Sequence, residues 1–394
     1  MKITVPTIDF GTSKIVTMVA QSNGERCDIV GSGAVPYSGY LQDGWNNPDE
    51  IRDVIRTAID QAQKTGNCRI HELNVGVPGM FTRVIVKEVH VSLTGPDPHV
   101  TAQDVRACFK LAEESGGDRI IHSAPAWFRV DDGKKTLSPV GIKGRELSAM
   151  IALVTADKYF IDDITYRLRD MDIEPREFYS TVAGEATYAL SQDERDKTAM
   201  LIDIGYLCTD VMVMEGDALI FHKCLDIGGG HISADIAEQL NIPFPFVEEK
   251  IKQTYSFNST NQDETYVIPA TEDEPARTVW RDEVTPIIEA KVEEIAEAIN
   301  KALEEGGVKL GKWSNVYLTG GGLILNKGGK DFLAGKLHRI IREAQRTNNK
   351  MTSHVFSSAV GLTILVVTTQ EEQKAPEGGA KGLFSRAFRW LMGY

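Results

Sequence analysis

Apolar and polar positions change rhythm along this chain, and they do so twice in the same order. Over residues 2–9, 15–21 and 27–35 the apolar residues come in strand-length runs parted by tight turns such as Asn23-Gly24, the pattern of a three-stranded meander. The period then lengthens, with Ile51, Val54, Ile55, Ala58, Ile59 and Ala62 falling on one stripe at helical spacing. Asn47 as cap, Pro48 at the first position and Glu50 closing a capping box place the start of that helix. A strand at 72–77 follows and ends at Pro78-Gly79. The second half repeats the order: strands at 199–204, 209–214 and 218–225, a turn at Glu215-Gly216-Asp217, a helix from near Ser233 and a closing strand at 315–318. Strand-strand-strand-helix-strand, met twice, predicts an α/β protein of two similar lobes.

Each half carries an insertion. Residues 85–165 alternate between strand patterns (84–91, 150–154) and a helix near 103–114, so they read as a small α+β module. Residues 238–306 hold a polar stretch at 258–264 and a long helix over 283–305, with Val284, Ile287, Ile288, Val292, Ile295, Ala298 and Ile299 on one side. The expected division is therefore 1–84 with 166–198, the insertion 85–165, then 199–237 with 307–368, and its insertion 238–306. A polar linker over 369–382 and a terminal helix over 383–394 complete it.

Bulk properties narrow the classes. A length of 394 residues calls for more than one core. The net charge of −13 argues against nucleic-acid binding, which needs a basic footprint. Five scattered cysteines without C-x-x-C spacing suit a cytosolic chain of reduced thiols. Eight histidines without H-x-x-x-H or a Cys/His cluster point away from a zinc site. The chain opens straight into a strand, with no signal-peptide pattern, and its longest apolar run, 360–367, reads as a buried helix rather than a membrane span.

The candidate chemistry sits in two matching turns. Asp9-Phe10-Gly11-Thr12-Ser13-Lys14 and Asp203-Ile204-Gly205-Tyr206-Leu207-Cys208-Thr209 each join the first two strands of a half. Gly11 and Gly205 let backbone approach a phosphate, Thr12, Ser13 and Thr209 add hydroxyls, and Lys14 adds charge. Asp9 and Asp203, each ending a leading strand, would repel unless a cation lay between them; Mg²⁺ held through water beside ATP phosphates meets that need. A lone D-x-G is an ordinary hairpin turn, and only the repetition favours phosphate binding. Thr319-Gly320-Gly321-Gly322, followed by Leu323, offers a flat backbone to an adenine or ribose, or is a plain loop. Glu249 and Lys252, three apart, would grip ribose and adenine edge if helical, or form an exposed salt bridge. Glu185 is the nearest candidate for orienting a hydrolytic water; a salt-bridged Glu is the alternative.

The terminal segment is amphipathic as a helix. Leu383, Phe384, Ala387, Phe388, Trp390 and Leu391 share one side, with Ser385, Arg386 and Arg389 opposite. That pattern fits an interfacial helix drawn to anionic lipid; docking on its own body or on a partner is the alternative.

Together these residues resemble the actin–hexokinase superfamily and, within it, the FtsA family of bacterial cell-division proteins. Asp9–Lys14 is similar to the phosphate-1 motif, Asp203–Thr209 to phosphate-2, Thr319–Leu323 to the adenosine motif, and Glu249-Lys250-Ile251-Lys252 to the E-x-x-K adenosine clamp of chaperone relatives. Val182–Ala186 and Ser357–Leu362 resemble the two connecting helices. Ile121-His122-Ser123-Ala124-Pro125, Ser138-Pro139-Val140-Gly141 and Leu190–Arg195 are family marks. The resemblance implies an actin-like fold with duplicated five-stranded sheets and an FtsA-type inserted subdomain serving filament contacts. It implies binding of ATP and Mg²⁺ with weak hydrolysis at most, and homopolymer filaments. It also implies a peripheral place on the cytoplasmic face of the membrane at the division site. Its implied partners are the C-terminal peptide of FtsZ, which would use Lys291, other division proteins and anionic lipid. One departure stands out: the family's phosphate-2 turn is Asp-Ile-Gly-Gly-Gly-Thr, and here Tyr206 and Leu207 replace two glycines. That change leaves open a nucleotide-independent scaffold, such as a pilus-assembly relative or a degenerate FtsA. A small-molecule kinase of the same fold is a further alternative.

Overall fold

A computed structural model describes residues 3–373, apart from 25, 42–43, 115, 118, 262, 271–274, 312–313 and 345–352. The predicted tail helix, with Leu383, Phe384, Arg386, Phe388, Arg389, Trp390 and Leu391, lies outside the described residues. So does the linker from 374 onward.

The chain begins with β1 (Ile3–Phe10), β2 (Lys14–Ser22) and β3 (Cys27–Pro36), a small hairpin of β4 (Tyr40–Leu41) and β5 (Gly44–Trp45), helix α1 (Ile51–Gly66) and β6 (Glu72–Val77). The meander is antiparallel, with Ile8 opposite Thr17 and Asp9 opposite Val16. Gly24, at φ +86, takes the left-handed position of the turn between β2 and β3, where a side chain would be strained. From Thr7 onward β1 is buried on both faces. Ile8 and Phe10, with Ile15 and Val19 of β2, meet Ile51, Ile55 and Ile59 of α1. Ile3 and Val5 face the other way. The expected capping box is absent. The helix starts at Ile51 after Glu50, whose carboxylate instead accepts from the amide of Ser38 (2.7 Å) and the side chain of Asn47 (3.3 Å). Residues 48–50 are thereby held in a turn rather than in helix.

Next come β7 (Thr82–Ser92), α2 (Ala102–Glu114), β8 (Ile120–Val130) and β9 (Glu146–Ala156). They form a three-stranded antiparallel sheet, ordered β7-β9-β8, whose Leu147, Ala149 and Ile151 pack with Val105, Cys108 and Ala112 of α2. The sequence reading has β9 starting too late and lacks β8. That strand carries the Ile121–Pro125 mark, and register shifts at Ile120/His122 and Pro125/Trp127 break its alternation. Helix α3 (Lys158–Arg169), β10 (Glu174–Ser180), α4 (Thr181–Ala189) and the short α5 (Gln192–Arg195) return the chain to the first sheet.

The second sheet begins with β11 (Ala199–Ile204), β12 (Thr209–Glu215) and β13 (Ala218–Leu225). Helix α6 (Gly229–Gln239), the single turn α7 (Phe244–Phe246) and a π-helical turn at Val247–Lys252 follow. The antiparallel pair β14 (Thr265–Ile268) and β15 (Arg277–Trp280) leads into α8 (Arg281–Glu305). Then come β16 (Asn315–Thr319), α9 (Gly329–Leu337), β17 (Ile341–Glu343) and α10 (Ser357–Gln373). The sheets run β3-β2-β1-β6-β10 and β13-β12-β11-β16-β17: third, second, first, fourth and fifth strand in both. The duplication is thus one of topology, and in each copy the fifth strand is the one the sequence reading lacks. Helix α10 runs to Gln373, past the expected linker start at 369.

Two compact units divide the chain. Of the described residues, one takes those of 3–201, Met212–His222 and 353–373; the other takes those of Ile202–Val211 and Lys223–Ala344. The first unit thus claims the outer part of the β12–β13 hairpin. Ala218 packs with Ala126, Trp127 and Ala152. Arg195, fully buried, donates to the carbonyls of Gly216 (3.0 Å) and Leu190 (2.6 Å) and to Asp217 (3.1 Å). Also in this unit, α4 crosses α10 at two glycines. A Cβ on Gly361 would lie 2.5 Å from Glu185 Cα, and one on Gly184 would lie 2.9 Å from Gly361 O. The predicted connecting helices therefore touch backbone to backbone.

Candidate functional site

In the first unit, the turn between β1 and β2 is held by its own backbone and by two tyrosines. Gly11 N donates to Lys14 O (3.1 Å), Tyr37 Oη to Gly11 O (2.7 Å), Tyr40 Oη to Phe10 O (3.0 Å) and Tyr37 N to Ser13 O (3.2 Å). Thr12 is buried, Gly11 and Ser13 are half-buried, and Lys14 Nζ lies 5.5 Å from the centre of the Phe356 ring. Asp9, 4% exposed, accepts from Ser358 Oγ at Oδ2 (2.8 Å), while its Oδ1 is buried without a hydrogen bond. Burial raises its pKa from 3.8 to about 6, against the opposing effects of Ser358 and Lys14. A buried carboxylate with one unsatisfied oxygen is suited to a cation or its hydration shell, so Asp9 fits a water-mediated Mg²⁺. Glu185 is 2% exposed at the helix crossing, where packing rather than access to water defines its setting.

In the second unit, three loops fill one volume. After Asp203, Ile204 O accepts from Gly322 N (2.7 Å), Gly205 O from Gly229 N (2.9 Å) and Tyr206 O from Gly230 N (2.7 Å), while Gly205 N donates to Cys208 O (2.9 Å). Thr209 Oγ1, buried, donates to Ile227 O (2.7 Å). The glycines are there for close approach. A Cβ at Gly320 would stand 2.0 Å from Asp203 Oδ1, one at Gly322 2.3 Å from Gly205 O, and one at Gly229 2.4 Å from Gly322 Cα. Leu323 is fully buried. The Tyr206 ring lies close enough to Gly230 that a Cβ there would meet it at 3.1 Å, and Lys252 Nζ sits 5.7 Å from its centre. Tyr206 is half-buried, and burial followed by the nearby Glu248 charge raises its pKa. Leu207 is half-buried. Gly228, Gly229 and Gly230, at the start of α6, pack directly against the backbone of the phosphate-2 turn.

Glu249 and Lys252 do not share one face. The segment is a π turn, whose wider winding takes positions three apart off a common face. Glu249 is exposed, and buried Lys252 pairs with Glu248 (3.2 Å) and donates to Gly229 O (2.7 Å). Burial lowers the Lys252 pKa. Asn326 Nδ2 anchors this turn through Lys252 O (2.6 Å) and Tyr255 O (3.1 Å). Lys291, on α8, is held by Asp235 (2.9 Å) and Glu294 (2.6 Å). Sequence reasoning missed Tyr37, Tyr40, Ser358, Gly228–Gly230 and Asn326. Only the glycine run, directly after a strand, carries a signal of the kind that found the other loops.

Comparison with known proteins agrees with this anatomy. Residues 200–361 match the family described as cell division protein FtsA, and residues 79–155 match the SHS2 domain inserted in FtsA. The cell division protein FtsA of Pseudomonas aeruginosa is 24% identical over 98% of this chain and 97% of its own length. That of Bacillus subtilis is 26% identical over 76% and 70%. Among solved structures, the PilM-PilN type IV pilus biogenesis complex aligns at TM-score 0.62 and 17% identity, covering 93% of this chain and 99% of that one. MreB5 of Spiroplasma citri bound to ADP aligns at TM-score 0.55 and 11% identity, covering 95% and 99%. These structures show an actin-like fold, the two sheets share one strand order, and the inserted module falls where the family places it; the chain belongs to the FtsA family of cell-division proteins.

Proposed function

We propose that this chain is an ATP-binding, actin-like adaptor of cell division. It forms filaments and tethers the C-terminal peptide of FtsZ to the cytoplasmic face of the membrane through the amphipathic segment 383–394. The observation that carries the reading is the repeated placement of an aspartate, Asp9 and Asp203, at the end of the leading strand of each sheet. Gly11–Lys14 in the first unit, and Gly205, Tyr206, Leu207, Thr209, Glu249, Lys252 and Gly320–Leu323 in the second, are the nucleotide-contacting residues on this reading, with Asp9 and Asp203 toward hydrated Mg²⁺. Bound ATP supplies a hydrolysable γ-phosphate. Glu185, packed at a helix crossing, favours nucleotide as a structural switch, with at most weak turnover. Lys291 would have to exchange Asp235 or Glu294 for an acidic group of the FtsZ peptide. One tail holds a membrane weakly and many on a filament hold by avidity, so polymerisation and recruitment are coupled. Calorimetry with ATP, with and without Mg²⁺, tests the nucleotide. Sedimentation with anionic liposomes tests the tail: deletion of residues 383–394 should leave a folded protein in the supernatant, and unchanged sedimentation refutes the membrane role.

A second reading is a nucleotide-independent scaffold. It is favoured by the phosphate-2 turn, where the Gly205 N–H that would face a phosphate is given to Cys208 O (2.9 Å) and where Tyr206 and Leu207 carry side chains. Absence of binding at millimolar ATP selects it.

A further inference from the structure

Three potential metal ligands meet in the second unit, away from any spacing motif. Cys208 directly precedes β12, Asp210 lies within it, and Cys224 lies near the end of β13, the neighbouring strand. The two Sγ atoms and a carboxylate oxygen of Asp210 all lie within 4.8 Å of one another. Cys208 is buried and the other two are half-buried, so the cluster is sheltered but reachable. A tetrahedral zinc ion with bonds of about 2.0–2.3 Å to sulfur and oxygen holds its ligand atoms roughly 3.5–3.8 Å apart, a small adjustment from this arrangement. Side chains carried on adjacent strands need little ordering to reach it.

We propose that Cys208, Asp210 and Cys224 form a binding site for one thiophilic divalent cation, zinc before all others, with its fourth position open to water or an external donor. Two thiolates and a carboxylate are a borderline-soft donor set that selects zinc over magnesium or calcium. Without metal, protons fill the same role: the Cys224 thiol hydrogen-bonds Cys208 and Asp210, and that contact, burial and the Asp210 charge hold its pKa well above the usual value. Binding therefore displaces thiol protons into solvent as the two S–metal bonds form. The site also reaches the phosphate-2 turn, because the Cys208 carbonyl closes that turn through Gly205 N. Metal at Cys208 would fasten the turn to β13. The binding claim does not depend on whether the turn holds a nucleotide.

The test uses full-length protein, reduced with a non-thiol reductant and freed of metal. Cobalt(II) titration should give thiolate-to-cobalt charge-transfer absorption saturating at one equivalent, which added zinc abolishes. Cys208→Ser and Cys224→Ser should each lose that absorption, and Asp210→Asn should weaken zinc binding at least about tenfold in competition with a chromophoric chelator. Circular dichroism confirms that each variant is folded. Replacing the other three cysteines together (Cys27→Ser, Cys68→Ser, Cys108→Ser) should leave the signal intact. No charge-transfer band, a band that survives Cys208→Ser and Cys224→Ser, or one lost only in the triple variant would overturn the assignment.

Discussion

Replacing Asp9 by asparagine should stabilise this protein at neutral pH, although it removes a candidate magnesium-binding group. Asp9 is 4% exposed, and one of its oxygens is unsatisfied. Burial raises its pKa from 3.8 to about 6, so the folded chain holds this proton more tightly than the unfolded chain. The sign follows directly. The contribution is fully present below about pH 3.8 and is lost as pH rises through about 6. Above that range the buried charge costs about 3 kcal/mol. Asparagine keeps the shape, keeps an oxygen for the Ser358 hydroxyl and carries no charge. Asp9→Asn should therefore gain up to about 3 kcal/mol at pH ~7.5 and only about 1 kcal/mol at pH ~4.5. Urea unfolding of both proteins at the two pH values, followed by a probe in the first unit, measures the difference. An equal shift at both pH values, or destabilisation at the higher one, refutes the reasoning. If Asp9 also faces hydrated Mg²⁺, the same variant gains stability while losing any Mg²⁺ dependence of ATP binding.

Other substitutions test the packing that shapes the loops. Gly322→Ala should destabilise the second unit by about 3 kcal/mol or more, because its Cβ meets Gly205 O at 2.3 Å. Gly335→Ala, in α9 with nothing within 4 Å, should gain about 0.5–1 kcal/mol; thermal melts of both variants check the contrast. Arg195→Met should cost about 3–5 kcal/mol in urea unfolding by leaving Asp217 buried and unpaired, and adding Asp217→Asn should restore part of it. Lys252→Met should lower second-unit stability by about 1–3 kcal/mol without nucleotide, through the lost bond to Gly229 O.

Much of the fold was legible in the chain because two periodicities carry it. The stripe Ile51, Ile55, Ala58, Ile59, Ala62 is buried as helical spacing predicts, and the three-strand meanders recur within a residue or two of their expected bounds. What escaped was structure made by distant pairing. β10 (Glu174–Ser180) is mostly polar, and β17 is three residues long; each exists because a parallel neighbour offers a free edge, Val77 for Ser180 and Val316 for Ile341. β8 was hidden by its register shifts. The site was legible where it is backbone, in Asp9–Lys14, Asp203–Thr209 and Thr319–Leu323. It was illegible where it is side chain reaching across the fold. Tyr37 and Tyr40 support the first turn from some thirty residues away, Ser358 reaches Asp9 from the last helix, and the π turn that swaps Glu249 for Glu248 has no pattern of its own. Cys208 and Cys224 likewise show no metal spacing in sequence, since the neighbouring strands β12 and β13, not a loop motif, bring them together.

The shared volume of the loops at 203–209, 228–230 and 320–322 has a consequence for how substitutions combine. Bulk gained on one loop must be given up on another. Tyr206 is admitted because Gly230 leaves room for its ring, which couples the two positions: Gly230→Ala would be accepted more readily beside Tyr206→Gly than alone.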